Sequence, residues 1–341
     1  MRRIITLLAF LFIFQSLTNF LCAQEKNNYI DVSDNLYLIT NISGGNVSFL
    51  VTRKGIVVVD AGSTPSNGRK IISIIKSVSN KPIKYLILTH FHGDHINGIV
   101  GFPNDVKIIA HIDLAKNNAS FNKKNIDNYI NNVLPSYLVN LKLQMGEIKD
   151  KNSNEYLTLK EDFENNEEYL EEIKNIEFRN PDITFEDYYR FKIADERIML
   201  EYTGSGHTND NIVVKFSNHN VIHTGDLVFN GSIPYLINDH GVDVFNWMKT
   251  LDDLYKENIY TVIPGHGEID EKIILKEQSD YFKTLSKQIE MLKNDGFNLE
   301  EIKEKIDIND YGLTGNENQF PINIEVIYTQ LVSKGIEWWK F

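Results

Sequence analysis

Residues 89–95 constrain the possible fold and function of this 341-residue chain more than any other stretch. They place three imidazoles and one carboxylate within seven positions. They directly follow the apolar run 85–88, which predicts a short buried strand. His90 and His92 are two residues apart and would face the same side of an extended strand end, whereas Gly93 permits a turn toward a second point. Neutral imidazoles and a carboxylate are good zinc ligands. The stretch therefore predicts a metal-binding loop at a strand end.

Three more candidate ligands occur in the same kind of context further along the chain. His207, Asp226 and His266 each follow a short apolar run, at 198–202, 221–223 and 260–263, and each lies in a glycine-containing loop. Ligands at strand ends that are far apart in sequence can converge at one edge of a β-sheet core. The predicted metal ligands are therefore His90, His92, Asp94, His95, His207, Asp226 and His266.

Hydrophobic periodicity predicts the elements around these loops. Short apolar runs at 36–39, 47–51, 56–59, 106–110, 190–193 and 212–216 indicate strands, and the spacing over 65–78 indicates a helix. Residues 112–190 are rich in Asn, Lys and Glu and are predicted to form a helical insertion. The chain from residue 272 onward has a helical period, with the first helix ending at Gly296.

The N-terminus has the layout of a secretory signal peptide, with Arg2 and Arg3 before an apolar stretch and small residues at Cys22 and Ala23. Residues 1–23 are predicted to be removed, and the protein is expected to be exported, either periplasmic or secreted. The alternative is a lipoprotein anchored through Cys22, the only cysteine. Cleavage after Ala23 leaves no thiolate for a metal. We expect a catalytic domain over 24–270, with the insertion at 112–190, and a helical extension over 271–341.

Composition narrows the class of partner. The formal net charge of −12 disfavours nucleic acid and anionic membranes, and 42% hydrophobic content is typical of globular protein. The expected partner is a small-molecule substrate, with no membrane span after signal cleavage. The sequence does not determine the oligomeric state.

Four motifs together resemble the metallo-β-lactamase superfamily over roughly residues 30–270: HFHGDH (90–95), GSGHTND (204–210), TGD (224–226) and PGHG (264–267). The resemblance implies an α/β (α+β) fold, an αββα sandwich of two mixed sheets flanked by helices. It implies that His90, His92 and His207 hold one metal, that Asp94, His95 and His266 hold a second, and that Asp226 bridges them. It also implies that Asp60 supports the metal loop.

The bridging residue bears on the subfamily. The best-known β-lactamases resemble this motif set but have Cys or Ser at the position of Asp226, whereas aspartate resembles hydroxyacylglutathione hydrolases and lactonases. Residues 225–235 and 181–185 look like the exported zinc hydrolases associated with quinoprotein relay or sulfur oxidation. The loop after His207 departs from its relatives, so the roles of Asn209 and Asn211 stay open.

This resemblance implies a dinuclear zinc hydrolase in which a metal-bridging hydroxide attacks an ester, lactone or thioester carbonyl. Iron or manganese could replace zinc. Asp94 is the candidate catalytic residue, which would orient the nucleophile or shuttle a proton. The alternatives are a β-lactam hydrolase, a mononuclear iron dioxygenase acting on persulfides, and a binding module without activity.

The remaining histidines have simpler interpretations. His111 is expected to be structural, His219 to be solvated in a polar turn, and His223 to be a hydrogen-bonded core residue. His240 follows Tyr235 and could reach the substrate. The pair Trp338–Trp339 is expected to be a packing anchor or a contact patch.

Overall fold

The computed structural model describes residues 28–174 and 176–334. The predicted signal peptide, with Cys22 and the cleavage site after Ala23, lies outside these residues. So does the pair Trp338–Trp339.

Two mixed β-sheets form the centre of the molecule. The first sheet has seven strands in sequence order, and its first three pairings are antiparallel while its last three are parallel. Its strands are β1 (Tyr29–Ser33), β2 (Leu36–Ile39), β3 (Val47–Thr52), β4 (Gly55–Val59), β5 (Ile83–Ile87), β6 (Lys107–His111) and β7 (Ile183–Phe185).

The second sheet has six strands in the order β13-β12-β11-β10-β9-β8. Its pairings are antiparallel except for the parallel pair β11 and β12. The strands are β8 (Tyr188–Ile193), β9 (Glu196–Tyr202), β10 (Ile212–Phe216), β11 (Val221–His223), β12 (Thr261–Ile263) and β13 (Asp270–Glu271).

Side chains from both sheets form the core between them, and β4 shows why its sequence is apolar throughout. Val57 and Val59 pack in the inter-sheet core, whereas Ile56 and Val58 pack against helices on the outer side. A strand that is covered on both faces needs a continuous apolar run rather than alternation.

Helices cover the outer face of each sheet. Helix α1 (Pro65–Val78) begins with a proline at its first position, and the Thr64 side chain accepts a hydrogen bond from the Asn67 backbone N–H. The other helices of the two halves are α2 (Gly93–Ile96), α7 (Val244–Lys256), α8 (Ile273–Asn294), α9 (Leu299–Lys305) and α10 (Phe320–Lys334). Helices α7, α8 and α10 share one core with the second sheet.

The segment between β6 and β7 is helical. It contains α3 (Asp113–Asn117), α4 (Lys123–Asn128), α5 (Leu134–Glu147) and α6 (Asn154–Ile173), with π-helical turns at Asn118–Asn122 and Tyr129–Val133. Leu134, Leu138 and Leu170 form a small cluster of their own in the α5–α6 hairpin. The hairpin is therefore internally stabilised, apart from the three larger cores.

The arrangement of helices on both sides of two packed mixed sheets confirms the predicted αββα sandwich. Within residues 28–174 and 176–334, no helix combines the length and apolar character needed to cross a membrane.

Candidate metal centre

The seven predicted ligands lie just beyond the ends of strands of both sheets. His90 and His92 follow β5, and Asp94 and His95 lie in the short helix α2 directly after them. The other three, His207, Asp226 and His266, lie in the loops after β9, β11 and β12.

The structure brings these residues together in two groups. The first is His90, His92, His207 and Asp226, and the second is Asp94, His95, Asp226 and His266. Within each group, the candidate ligand atoms all lie within 4.8 Å of one another. This spacing matches atoms that share one cation at about 2.0–2.2 Å.

Asp226 belongs to both groups because its two carboxylate oxygens face different neighbours. Its Oδ2 lies 3.7 Å from His90 Nε2 and 3.4 Å from His207 Nε2. Its Oδ1 lies 2.9 Å from His95 Nε2 and 3.4 Å from His266 Nε2. The carboxylate therefore has the position of a bridge between two sites.

The donor atoms themselves fit a metal. His90 Nε2, His95 Nε2 and Asp226 Oδ1 are buried atoms without a well-aligned hydrogen bond in the described structure, although the last two approach each other at 2.9 Å. Buried polar atoms without good partners are costly, and a cation at this point would satisfy all three.

Two glycines allow the loops to approach this closely. A Cβ atom at Gly45 would lie 2.1 Å from His95 Cε1, and one at Gly265 would lie 2.1 Å from Asp226 Oδ1. Any side chain at these positions would displace a candidate ligand.

The second ring nitrogen of four histidines has its own partner. His207 Nδ1 donates to the carbonyl of Tyr235 at 3.0 Å, and His90 Nδ1 is 3.1 Å from the Thr89 hydroxyl. His92 Nε2 lies 2.7 Å from His240 Nδ1. These contacts turn the opposite nitrogen of each ring toward the cluster, which is how metal-binding imidazoles are oriented.

Asp60 orients the fourth ring. Its Oδ2 accepts hydrogen bonds from His95 Nδ1 at 2.7 Å and from the Thr89 hydroxyl at 2.8 Å, and its Oδ1 accepts one from the Thr89 backbone N–H. Asp60 is fully buried and has a φ of 64°, a strained conformation for a residue with a side chain. The carboxylate thus stands directly behind the metal loop, where the family resemblance placed it.

The electrostatics divide the imidazoles of the metal-free protein into two kinds. Burial, reinforced by neighbouring imidazoles, lowers the pKa of His90 and His92 well below the ordinary value, and burial lowers the pKa of His207 to about 4. Burial alone would also lower the pKa of His266, but Asp226 and Asp94 raise it to about 10. The three imidazoles of the first group are therefore neutral and ready to bind a cation.

His95 behaves like His266. Burial opposes its charge, yet Asp226, Asp94 and Asp60 raise its pKa well above the ordinary value. Conversely, His95 and His266 lower the pKa of Asp226 and Asp94, although burial alone would raise both. In the metal-free protein, the protonated rings of His95 and His266 therefore compensate the charge of the two carboxylates. A metal would have to displace the protons of these rings.

The structure corrects the interpretation of His219. Its side chain is only 6% exposed rather than solvated, since Nδ1 lies 3.0 Å from the Ser33 hydroxyl and Nε2 lies 3.1 Å from Glu196. Three turns from both sheets meet there, which the polar sequence of the turn does not reveal.

The other histidines fall where expected or close to it. His223 is a buried core residue, with Nδ1 3.0 Å from the Ser48 hydroxyl. His111 stacks on Tyr202 with ring centroids 4.1 Å apart. His240 lines the cleft above the ligands and also contacts His92, a contact for which no local motif gave a signal.

The loop after His207 is held by amides. Asn211 Oδ1 accepts hydrogen bonds from the backbone N–H groups of Gly206 and Thr208, which closes the loop. Asn209 Oδ1 accepts a hydrogen bond from Asn117 Nδ2 at 2.6 Å, and this bond joins the loop to the helical insertion.

An open cleft of about 610 Å³ leads to the ligands. Besides ligand residues it is lined by Phe91, Gly93, Asn97, Ile126, Tyr129, Tyr169, Ile173, Phe229, Tyr235, Ile237, His240 and Asn316. These residues are mostly apolar or aromatic, and the described lining contains no lysine or arginine.

Comparison with known proteins supports a metal-dependent hydrolase. The chain is 25% identical over 263 residues to the metallo-beta-lactamase IND-1 of Chryseobacterium indologenes, covering 74% of this chain and 87% of the relative. It is 24% identical over 268 residues to a linear primary-alkylsulfatase of a Pseudomonas species, covering 74% of this chain. It spans only about half of that relative's length, at 48%.

Solved structures show the same fold. A metallo-beta-lactamase from Pontibacter korlensis superposes with a TM-score of 0.54 at 17% identity, covering 75% of this chain and 98% of that one. The sec-alkylsulfatase Pisa1 from a Pseudomonas species gives a TM-score of 0.63 at 16% identity, covering 89% of this chain and 50% of that one.

The αββα fold and the His/Asp cluster define the class, an enzyme that hydrolyses its substrate with a divalent metal. The metallo-beta-lactamase superfamily model matches residues 41–266, and the chain belongs to that superfamily.

Proposed function

We propose that the protein is a dinuclear zinc hydrolase that cleaves an ester, lactone or thioester with an apolar acyl group. The observation that carries the proposal is the position of Asp226, whose two oxygens face two separate sets of ligand atoms. A chain with a single site would not need both sets.

Each group of side chains has a task in this proposal. His90, His92 and His207 would hold the first zinc, and Asp94, His95 and His266 would hold the second, with Asp226 shared. Bound zinc supplies an activated water and polarises the substrate carbonyl.

Asp94 would act beside the bound ions as the residue that orients the attacking water or takes up its proton. Its Oδ2 lies 3.1 Å from His266 Nε2, and its side chain is 37% exposed, so it reaches both the ligands and the cleft. The lowered pKa of Asp94 keeps it a carboxylate, which can accept a hydrogen bond from the attacking water and so orient it.

The lining of the cleft supports an uncharged substrate. Phe229 and Tyr235 come from the loop after Asp226, and Ile126 and Ile173 come from the insertion. With no lysine or arginine in the described lining, a carboxylate on the substrate would have only the metals to pair with. This favours a neutral ester or thioester over a β-lactam, which carries a carboxylate.

Hydrolysis of an alkyl sulfate is a second candidate. It is favoured by the similarity to two alkylsulfatases, one of which superposes over 89% of this chain, and by the apolar cleft, which suits an alkyl group. β-Lactam hydrolysis is the third candidate, because several relatives carry the name metallo-beta-lactamase.

Metal analysis of protein purified without chelator tests the dinuclear assignment. We expect close to two zinc ions per chain, and about one in Asp226→Asn, which keeps the shape of the side chain but loses its charge. The kcat/KM of that variant should fall at least about a hundredfold, since even residues behind the ligands change activity by 10–100-fold. Asp253→Asn, a surface change, is the control. One tightly held iron and no second metal would instead favour the persulfide dioxygenase.

A substrate panel tests the reaction class. A p-nitrophenyl ester, a thioester, a lactone, an alkyl sulfate and a penicillin should be compared by kcat/KM on one zinc-loaded preparation. We expect one of the first three to be the best substrate. If the penicillin or the sulfate is turned over a hundred times faster than the others, the assignment of bond is wrong.

Export and the division into domains are part of the same proposal. We place the signal peptide at 1–23, the catalytic domain at 24–270 with its insertion, and the extension at 271–341. N-terminal sequencing of the mature protein should begin at Gln24, and an intact Met1 would contradict export.

A further inference from the structure

The helical insertion contributes a distinct set of side chains to the cleft. Ile126, Tyr129, Tyr169 and Ile173 all line it, and all four come from the segment between β6 and β7. Two of the four are aliphatic and two are phenols, so this side of the cleft offers apolar surface and no charge.

These four side chains differ in depth. Tyr129 is 37% exposed, Ile126 and Tyr169 are partly buried, and Ile173 is only 2% exposed. Burial raises the pKa of Tyr169 to about 12, with smaller contributions from Tyr129 and Asp94, so its phenol stays neutral beside the ligands. The insertion therefore runs from an open rim at Tyr129 to a closed end at Ile173.

The closed end is fixed to the rest of the protein. The neighbouring Glu172 accepts a hydrogen bond at 2.8 Å from the backbone N–H of Ser66, in the first turn of α1. Asn117 holds the start of the insertion through Asn209. Near the end of the insertion, the guanidinium of Arg179 donates to four backbone carbonyls of residues 102–106. Both ends of the insertion are thus hydrogen-bonded to the rest of the protein, as expected for a fixed wall around Ile173 rather than a movable lid.

We infer that these four side chains form the wall of the pocket that binds the apolar group of the substrate. We also infer that Ile173 limits the length of the chain that fits in this pocket. This inference rests on the proposed function for the reaction, but the binding that it describes can be measured without turnover. The expected ligand class is an unbranched acyl chain with its carboxyl carbon at the metal centre. Specificity would then depend on the insertion, while the chemistry depends on the strand-end loops.

Binding of straight-chain carboxylates with two to twelve carbons to the zinc-loaded protein tests the inference by calorimetry. Each added methylene should tighten Kd roughly fourfold until the chain reaches the closed end, after which affinity levels off. Ile173→Trp should move that break to a shorter chain, and Ile173→Ala should move it to a longer one. The shortest acids should bind all forms equally.

Two control variants separate the wall from general effects on the insertion. Val139→Trp adds the same bulk at a position that is 57% exposed on α5, and Leu170→Ala removes a packing side chain of the α5–α6 hairpin that does not line the cleft. Neither should move the break. A break at the same chain length in both Ile173 variants, or affinity that does not depend on chain length, would overturn the inference.

Turnover of p-nitrophenyl esters of the same chain lengths separates this inference from the proposed reaction. Chain-length-dependent binding without hydrolysis of any of these esters, nor of the thioester and lactone of the substrate panel, would leave the wall intact and reject the proposed reaction. Hydrolysis with no dependence on chain length, in wild type and Ile173 variants alike, would do the reverse.

Discussion

Among single residues, His240 orients the ring of a candidate metal ligand. Its Nδ1 lies 2.7 Å from His92 Nε2, so a protonated His92 Nε2 donates to it and leaves His92 Nδ1 free to bind the metal. Nothing in the local sequence around residue 240 marks this role.

We therefore predict that His240→Ala lowers zinc affinity and kcat/KM by about 10–100-fold, the usual effect of losing the partner of a metal-binding imidazole. His240→Gln, whose side-chain oxygen can still accept the hydrogen bond, should recover much of the loss. Competition with a chromogenic chelator measures affinity separately from activity. His219→Gln is the control, because that ring contacts Ser33 and Glu196 instead. Equal zinc affinity in His240→Ala and wild type would contradict the prediction.

The raised pKa of His266 makes the metal-free protein sensitive to alkaline pH. Because this pKa is about 10 in the fold against an ordinary value near 6.5, its contribution to stability is complete below that ordinary value. It is lost as the pH rises through 10. Bound zinc would occupy the ring nitrogen and remove this dependence.

The Tm of chelator-treated protein should therefore fall between pH 7 and pH 10.5 by more than the Tm of the zinc-loaded protein. Thermal scans of both forms across this range measure the difference, so that the titration of surface groups cancels. Parallel curves would mean that His266 does not carry the expected proton.

The residues of the metal centre could be predicted because each has a strong local signal, a ligand type next to a glycine at the end of an apolar run. Apart from Asp60, which the family resemblance implied, the partners behind them could not. His92 and its partner His240 are 148 residues apart in sequence, and no local pattern links them. The wrong interpretation of His219 has the same origin, since only the packing of two sheets brings Ser33 to it.

Among the helices and strands, the sequence predicted those whose own residues show a clear local pattern. The predicted helix over 65–78 is confirmed as α1, where a capping threonine and a first-turn proline mark the start. The strands at 36–39, 212–216 and 221–223 also match. Strand β1 and helix α7 were not predicted. Strand β1 has only intermediate or exposed residues, so it lacks a clear apolar pattern, and its pairing with β2 determines it.

Among the contacts between elements, those of Arg179 join the insertion to the loop before β6 of the first sheet. Its guanidinium donates to the carbonyls of Phe102, Pro103, Asn104 and Val106 at 2.9–3.4 Å. We predict that Arg179→Ala lowers the free energy of unfolding by about 1.5–3 kcal/mol, the range for hydrogen bonds to a charged group. Arg179→Lys should restore only part, because an ammonium cannot reach four carbonyls as a planar fork does.

Chemical denaturation and hydrogen exchange check this prediction. Exchange should accelerate in residues 102–111 and leave α8 unchanged. Full stability in the lysine variant would show that charge alone suffices at this position.

On the scale of the whole molecule, the C-terminal helices stabilise the metal loops through a shared core. Trp247 of α7 donates its Nε1–H to the carbonyl of Leu227, next to Asp226, and its ring lies 4.8 Å from Phe282 of α8. The extension is therefore joined to the catalytic part by buried contacts.

Phe282→Ala should destabilise the protein by about 3–5 kcal/mol, as expected for an aromatic side chain removed from a closed core. It should also speed zinc loss to a chelator, since the loop that carries Asp226 rests on Trp247. Met291→Ala, at a position of the same helix that is 57% exposed, should change stability by no more than about 0.5 kcal/mol. Denaturation and chelator kinetics on both variants make the comparison, and a loss of stability with unchanged zinc release would uncouple the two.

The separate packing of the α5–α6 hairpin has a consequence for how such enzymes diversify. Its small cluster of Leu134, Leu138 and Leu170 shares no residue with the three cores that hold the sandwich together. Mutations that reshape the hairpin should therefore cost the sandwich less stability than mutations under the metal loops. An insertion of this kind can accumulate substitutions or be exchanged as a unit between related enzymes. A new substrate range can then arise while the metal centre stays unchanged.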